Sequence, residues 1–97
     1  LGVITNNGEF SIAGNNSLGS VQGNGILNIN GKITAEKSVT QGTINVNNEA
    51  KLTNSAGITA NVVNNSTFEN NALLTGTLTN TDNATSNASK WKCCKYR

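Results

Sequence analysis

The sequence has no proline, no histidine and no methionine, and its two cysteines, its tryptophan and its tyrosine all fall within the last seven residues. Missing proline leaves every backbone N–H able to donate, which suits a chain built mostly of strand ladder. Missing histidine removes the commonest general base and metal ligand, and with it the simplest route to most hydrolytic and metal chemistry. Aromatic residues make up 4% of the 97 residues and apolar residues 35%, so a conventional two-layer core would be thin. No apolar run approaches the roughly 20 residues that span a bilayer. Charge is scarce as well, at 12%; a disordered chain usually pairs low hydrophobicity with high net charge, and here the charge is missing.

What is present is small and polar. Asn (19), Thr (12), Gly (10) and Ser (8) make up half of the chain, which points to a narrow core. Residues 1–89 carry Lys32, Lys37 and Lys51 against Glu9, Glu36, Glu49, Glu69 and Asp82, a net charge of −2. Lys90, Lys92, Lys95 and Arg97 add +4 in the last eight residues. The basic balance belongs to the tail, so it implies no nucleic-acid partner for the body.

The apolar residues recur in columns. Val3, Val21, Val39, Ile58 and Leu78 start successive stretches 18 to 20 residues apart. Three further columns read Ile26, Ile44 and Val63; Ile12, Ile29, Val46 and Phe68; and Leu18, Ile33, Leu52 and Leu74. Such a pattern describes a coil repeated and stacked, each coil offering a few inward side chains that only a neighbouring coil can cover. Short alternating runs, Glu9-Phe10-Ser11-Ile12, Leu27-Asn28-Ile29-Asn30, Thr43-Ile44-Asn45-Val46-Asn47 and Ser66-Thr67-Phe68, predict strands with one wet face. Asn- and Gly-rich clusters after each run predict the corners. No window holds an apolar helical face. An antiparallel sandwich of hairpins is the competing arrangement, but like-with-like columns favour parallel, in-register stacking. The expectation is an all-β parallel β-solenoid of about four coils of 18–20 residues.

Four coils at about 4.8 Å each make a rod of only roughly 20 Å with two open ends. The chain starts at Leu1 without Met, basic segment or apolar signal core. Both features are expected of an internal fragment whose partners are neighbouring coils of a parent protein. Residues 1–89 form the expected solenoid fragment, and 90–97, WKCCKYR with its preceding Lys90, a compositionally foreign tail such as a frameshift or vector scar leaves.

Catalysis on a solenoid needs two or three acids converging on one face. Glu49 and Glu69 are the pair that adjacent coils could bring to one corner, beside Lys32 and Lys51. The simpler reading is a solvated charge cluster. The asparagines carry more information. Asn30 and Asn48 fall at equivalent positions, Asn28 and Asn47 lie near them, and Asn70 and Asn71 fall in the corresponding turn of the fourth coil, where amides can bond along the stacking axis and fix register. Asp82 is the only aspartate, so no calcium-binding nonapeptide is present. Thr77-Leu78-Thr79 and Thr79-Asn80-Thr81 do not repeat on every coil as a flat ice-binding face would require, and Gly23-Asn24-Gly25 lacks the helix and Lys-Ser/Thr of a phosphate loop. Five Asn-x-Ser/Thr triplets match chance for this composition. Adjacent Cys93 and Cys94 have neither disulfide geometry nor zinc-site spacing. No residue is assigned a catalytic, cofactor-binding or metal role, and no cofactor is expected.

GNGILNINGKITAEKSVTQGTINVNNEAKLT, with its Asn-x-[Ile/Val]-Asn strands, resembles passenger repeats of bacterial autotransporters. The Asn- and Thr-rich, proline-free style over residues 1–89 is similar to rickettsial surface-antigen passengers and, more distantly, to filamentous haemagglutinin-type adhesins. The resemblance implies a right-handed parallel β-helix carried to the bacterial surface or secreted, with a host cell-surface receptor or glycan as partner and no direct membrane insertion. The expected function is a non-enzymatic structural or adhesive segment. The alternatives are a piece of a polysaccharide-acting β-helix enzyme and a phage tail-fibre segment.

Overall fold

The computed structural model describes residues 3–81, followed by the backbone of two short strands at 85–88 and 95–96. Coil 1 contains β1 (Ile4–Thr5), β2 (Glu9–Ile12) and β3 (Asn15–Leu18); coil 2 contains β4 (Val21–Gln22), β5 (Ile26–Ile29) and β6 (Lys32–Ala35). Coil 3 is β7 (Val39–Val46) and β8 (Lys51–Asn54), and coil 4 is β9 (Ile58–Asn64) and β10 (Thr67–Asn70). Coil 5 has β11 (Leu74–Thr75), β12 (Thr77–Asn80) and β13 (Thr85–Ala88), after which β14 (Lys95–Tyr96) pairs with β12. Every pairing is parallel and joins one coil to the next. The chain is a β-solenoid.

Three strand positions repeat around each coil. β7 and β9 run unbroken through the first corner, so the first two positions merge into one nine-stranded sheet while β3, β6, β8, β10 and β13 form a second sheet. β7 passes that corner with a bulge: Thr40 pairs with Thr59 and Thr43 with Asn61, leaving Gln41 and Gly42 opposite Ala60 alone. An extra residue bends a strand and re-aims its side chains.

Alternation explains which side chains turn in. Lys32-Ile33-Thr34-Ala35, Lys51-Leu52-Thr53-Asn54 and Thr67-Phe68-Glu69-Asn70 stack in register, and in each the second and fourth residues are buried. The inward columns run Ile4, Val21, Val39, Ile58, Leu74; Phe10, Leu27, Ile44, Val62, Leu78; Ile12, Ile29, Val46; and Ile33, Leu52, Phe68. Leu27, Ile44, Val62, Phe68, Leu74 and Leu78 have no exposed surface. Each such burial contributes about 1.5–3 kcal/mol, and each depends on the coil above or below.

Five coils are stacked where four were expected, and the column spacing is uneven: Val39 precedes its register partner Ile58 by 19 residues, and Leu74 follows Ile58 by 16. The phase of several columns also differs. Ile4, not Val3, opens coil 1, and Val3 is 67% exposed. Leu27 and Val62, not Ile26 and Val63, lie in line with Ile44. Leu78 continues that same column, and Leu74 starts coil 5. Phe68 rests on Leu52, and Leu18 on Ala35. Where two apolar residues adjoin, as in Ile26-Leu27, Val62-Val63 and Leu73-Leu74, a fixed repeat cannot choose between them, and a slip of one residue reverses the face.

Candidate functional site

Amides occupy the corners of the core. The column begun by Leu18 and Ala35 continues as Asn54 and Asn70, both fully buried. Asn54 Nδ2 donates to Asn70 Oδ1 at 2.7 Å and to the Leu73 carbonyl at 3.0 Å, while its Oδ1 accepts from the Gly57 N–H at 2.9 Å. One side chain therefore ties coil 3 to coil 4 and closes its own turn. The column of Ile12, Ile29 and Val46 likewise becomes Asn64 and Asn80. Asn64 Nδ2 donates to Asn80 Oδ1 at 3.1 Å and Asn64 Oδ1 accepts from Ser66 N–H at 3.1 Å.

The third amide corner joins coils that are not neighbours. Asn6 Nδ2 on coil 1 donates to Gln41 Oε1 on coil 3 at 2.6 Å, and Gln41 Nε2 donates back to the Asn6 carbonyl at 3.2 Å. Coil 2 crosses this corner with Gly23 and Gly25, where a Cβ would lie 2.4 Å from the carbonyl oxygens of Asn6 and Gly8 respectively. The bulge at Gln41 and the glycines of coil 2 let the two amides meet. Apolar contacts along a column are non-directional, whereas a buried amide that loses its specific partner is left unsatisfied, so the amides add register selectivity to that of the alternation.

Sequence spacing locates amide stacking but not its pairs. On the outer surface Asn45 Nδ2 donates to Asn28 Oδ1 at 3.0 Å, Asn28 Nδ2 donates to Glu9 Oε2 at 2.7 Å, and Asn47 Nδ2 donates to Asn30 Oδ1 at 2.7 Å. Asn48 is an exposed turn residue, and Asn70 points inward to Asn54. Spacing misses Asn54, Asn64 and Gln41 because a buried amide looks like a corner residue in sequence. The signal available is the 16-residue separation within Asn54/Asn70 and Asn64/Asn80.

No family model, curated protein or solved structure matches this chain. Its chemistry rests on its own residues.

Glu69 lies on the outer face of β10. Asn71 Nδ2 donates to its Oε2 at 3.0 Å and Lys51 Nζ stands 3.2 Å from its Oε1. The Asn71 hydrogen bond first, then the hydrogen bond and charge of Lys51, hold this carboxyl below the usual carboxylate range. A general acid needs the opposite shift. Glu49 occupies the exposed turn before β8 with a left-handed backbone, φ 66°. Lys32 pairs in register with Lys51. The arrangement is a solvated ion pair beside a second lysine, which contributes little to stability. Among the described residues no three His, Cys, Asp or Glu side chains gather, and no helix is long and apolar enough to cross a membrane.

A shallow groove of about 220 Å³ crosses coils 3 to 5 beside β7, β9 and β11. Gly57 leaves a notch there, flanked by Ser38, Thr40, Thr59, Leu73 and Thr75, and none of the lining side chains titrates. Thr40, Thr59 and Thr75 stand in register on its outer side, continuing a row begun by Thr5 and Gln22. Such a surface can accept and donate hydrogen bonds but cannot move a proton at neutral pH. Trp91, Cys93 and Cys94 lie outside the described residues.

Proposed function

We propose that this chain is a non-enzymatic segment of a bacterial β-solenoid passenger, right-handed by its resemblance to autotransporter repeats, displayed at the cell surface or secreted. It acts as stalk and adhesive surface. The observation that carries this reading is the uniformity of the stack: each coil repeats the same strands, and its interior is devoted to apolar columns and amides that fix register. Function then lies in holding an outer face away from the cell. The outer edges of β1, β2 and β3 make no ladder among the described residues, and a neighbouring coil of a parent protein is the partner that fits them. The uncharged hydroxyl row and its groove are the surface offered to a host receptor or glycan. Glu69, the better placed of the two candidate acids, is held as a carboxylate by Asn71 and Lys51, so it is not tuned as the general acid that polysaccharide hydrolysis needs.

The test is surface labelling. Antibodies against residues 3–81 should stain intact bacteria of the source strain, and protease added outside should remove the signal. Staining that appears only after permeabilisation would sink the proposal. Binding of the purified chain to host cells, lost on replacing Thr59 with Lys, would place the adhesive face; binding that survives the change would move it elsewhere.

A further inference from the structure

Three Asn-Gly pairs occur in the described chain, Asn7-Gly8, Asn24-Gly25 and Asn30-Gly31, and all three asparagines are exposed. We propose that Asn30 is a modification site, converting spontaneously to aspartate and isoaspartate in the folded protein ahead of Asn7 and Asn24. The reaction needs only water. The backbone nitrogen of the following glycine, giving up its proton to solvent base, attacks the asparagine Cγ and forms a new C–N bond. The Cγ–Nδ2 bond breaks and ammonia leaves with a proton returned by solvent, closing a five-membered succinimide. Water then adds to either ring carbonyl, opening it to aspartate or to isoaspartate, with no change of oxidation state.

Two features separate the sites. The first is the nucleophile. Gly8 N–H donates to Asn6 Oδ1 at 3.2 Å, and Gly25 N–H donates to the Asn6 carbonyl at 3.0 Å, so both are engaged by the buried Asn6 corner. Gly31 presents its carbonyl to the Lys51 N–H at 2.9 Å, but its own N–H makes no hydrogen bond among the described residues. The second feature is the carbonyl under attack. Asn47 Nδ2 donates to Asn30 Oδ1 at 2.7 Å, the atom on which negative charge develops when Cγ becomes tetrahedral. Asn7 Oδ1 also accepts a hydrogen bond, from Asn24 N–H at 3.1 Å, but its glycine nitrogen is engaged. Of the three, Asn30 alone combines an unengaged nucleophile with a polarised carbonyl. The outer amide ladder that links coils 2 and 3 therefore also activates one of its own members.

The product changes the stack locally. Aspartate puts a carboxylate two residues before Lys32 and can still accept from Asn47 Nδ2. Isoaspartate adds a backbone methylene immediately before Gly31, where the chain has no spare room: a Cβ on Gly31 would lie 2.2 Å from the Gly14 oxygen.

The experiment follows the intact chain in mildly alkaline buffer, folded and in parallel in concentrated urea. Fragment-ion mass spectrometry locates each amide-to-acid mass gain, and enzymatic isoaspartate methylation identifies the rearranged product. In urea the three sites should convert at similar rates. In the folded chain Asn30 should lead by several-fold, and Asn47→Ala or Asn47→Asp, each checked for an unchanged β-sheet circular dichroism spectrum, should slow Asn30 several-fold while leaving Asn7 unchanged. A donor held in a water-excluded enzyme site is worth about a hundredfold or more, so an exposed amide should fall below that. Asn7 or Asn24 keeping pace with Asn30 in the folded chain would overturn the proposal, as would an Asn30 rate indifferent to both Asn47 variants.

Discussion

Replacing Asn54 with alanine tests how the corners hold. The substitution removes a donor to Asn70 Oδ1, a donor to the Leu73 carbonyl and the acceptor for Gly57 N–H, all within a fully buried side chain. At a net worth of about 1 kcal/mol per hydrogen bond, the three together account for roughly 3 kcal/mol. The cavity left by the amide adds to that, so the expected loss is about 3–5 kcal/mol. A domain of this size is stable by about 5–15 kcal/mol, which makes the change large. With a urea m-value of about 2 kcal/mol/M, the midpoint should fall by roughly 2 M, read by the loss of the β-sheet circular dichroism band. Asn54→Leu should be nearly as damaging, because it restores volume without restoring any of the three partners. A double-mutant cycle with Asn70→Ala should return a coupling of about 0.5–1.5 kcal/mol for the amide-to-amide bond. Asn54→Leu as stable as the native chain, or a coupling indistinguishable from zero, would refute the reasoning: the corner would then be held by packing, as its counterparts at Leu18 and Ala35 are.

Other outcomes follow from the same geometry. Phe68→Ala should cost about 3–5 kcal/mol in urea unfolding, while Phe68→Leu should recover most of that loss because Leu52 is stacked on it. Gly31→Ala should be destabilising by about 1–3 kcal/mol or more, since its Cβ would meet the backbone of Gly14 at 2.2–2.4 Å, whereas Gly8→Ala, with nothing within 4 Å, should change little; equal effects would argue against coil-to-coil contact at Gly31. Glu69 titrates below its ordinary value, so its pairing with Asn71 and Lys51 contributes above the unfolded pKa and is lost as pH falls through the lower folded value. Its midpoint, followed by NMR, should move up in Asn71→Ala and in Lys51→Met; no movement in either would remove the stated cause.

The coil architecture was legible because it is written in alternation, and alternation survives in short strands such as Lys32–Ala35 and Lys51–Asn54. Register was less legible because corner length changes from coil to coil. The bulge at Gln41 and Gly42 and the left-handed turn at Glu49 both insert residues that shift the columns without breaking the ladder. In Ile26-Leu27-Asn28-Ile29 the correct phase was present: counting back by two from Ile29 selects Leu27. The inward asparagines were not legible from polarity, because their burial follows from partners a coil away. Of the charged corner expected from Glu49, Glu69, Lys32 and Lys51, the structure shows the Lys51–Glu69 pair, joined by Asn71 and with Lys32 in register with Lys51, while Glu49 sits on the exposed turn before β8.

Parallel pairing throughout gives each coil two unlike edges, one facing its predecessor and one facing its successor. Two copies of such a chain cannot meet by presenting the same edge to each other and keep this ladder; a leading edge must meet a trailing one. That contact is heterologous, and repeated along the stacking axis it does not close into a dimer or ring. If the edges of β1, β2 and β3 recruit another copy instead of a covalently linked coil, the product is an open, polar filament whose two ends grow at different rates.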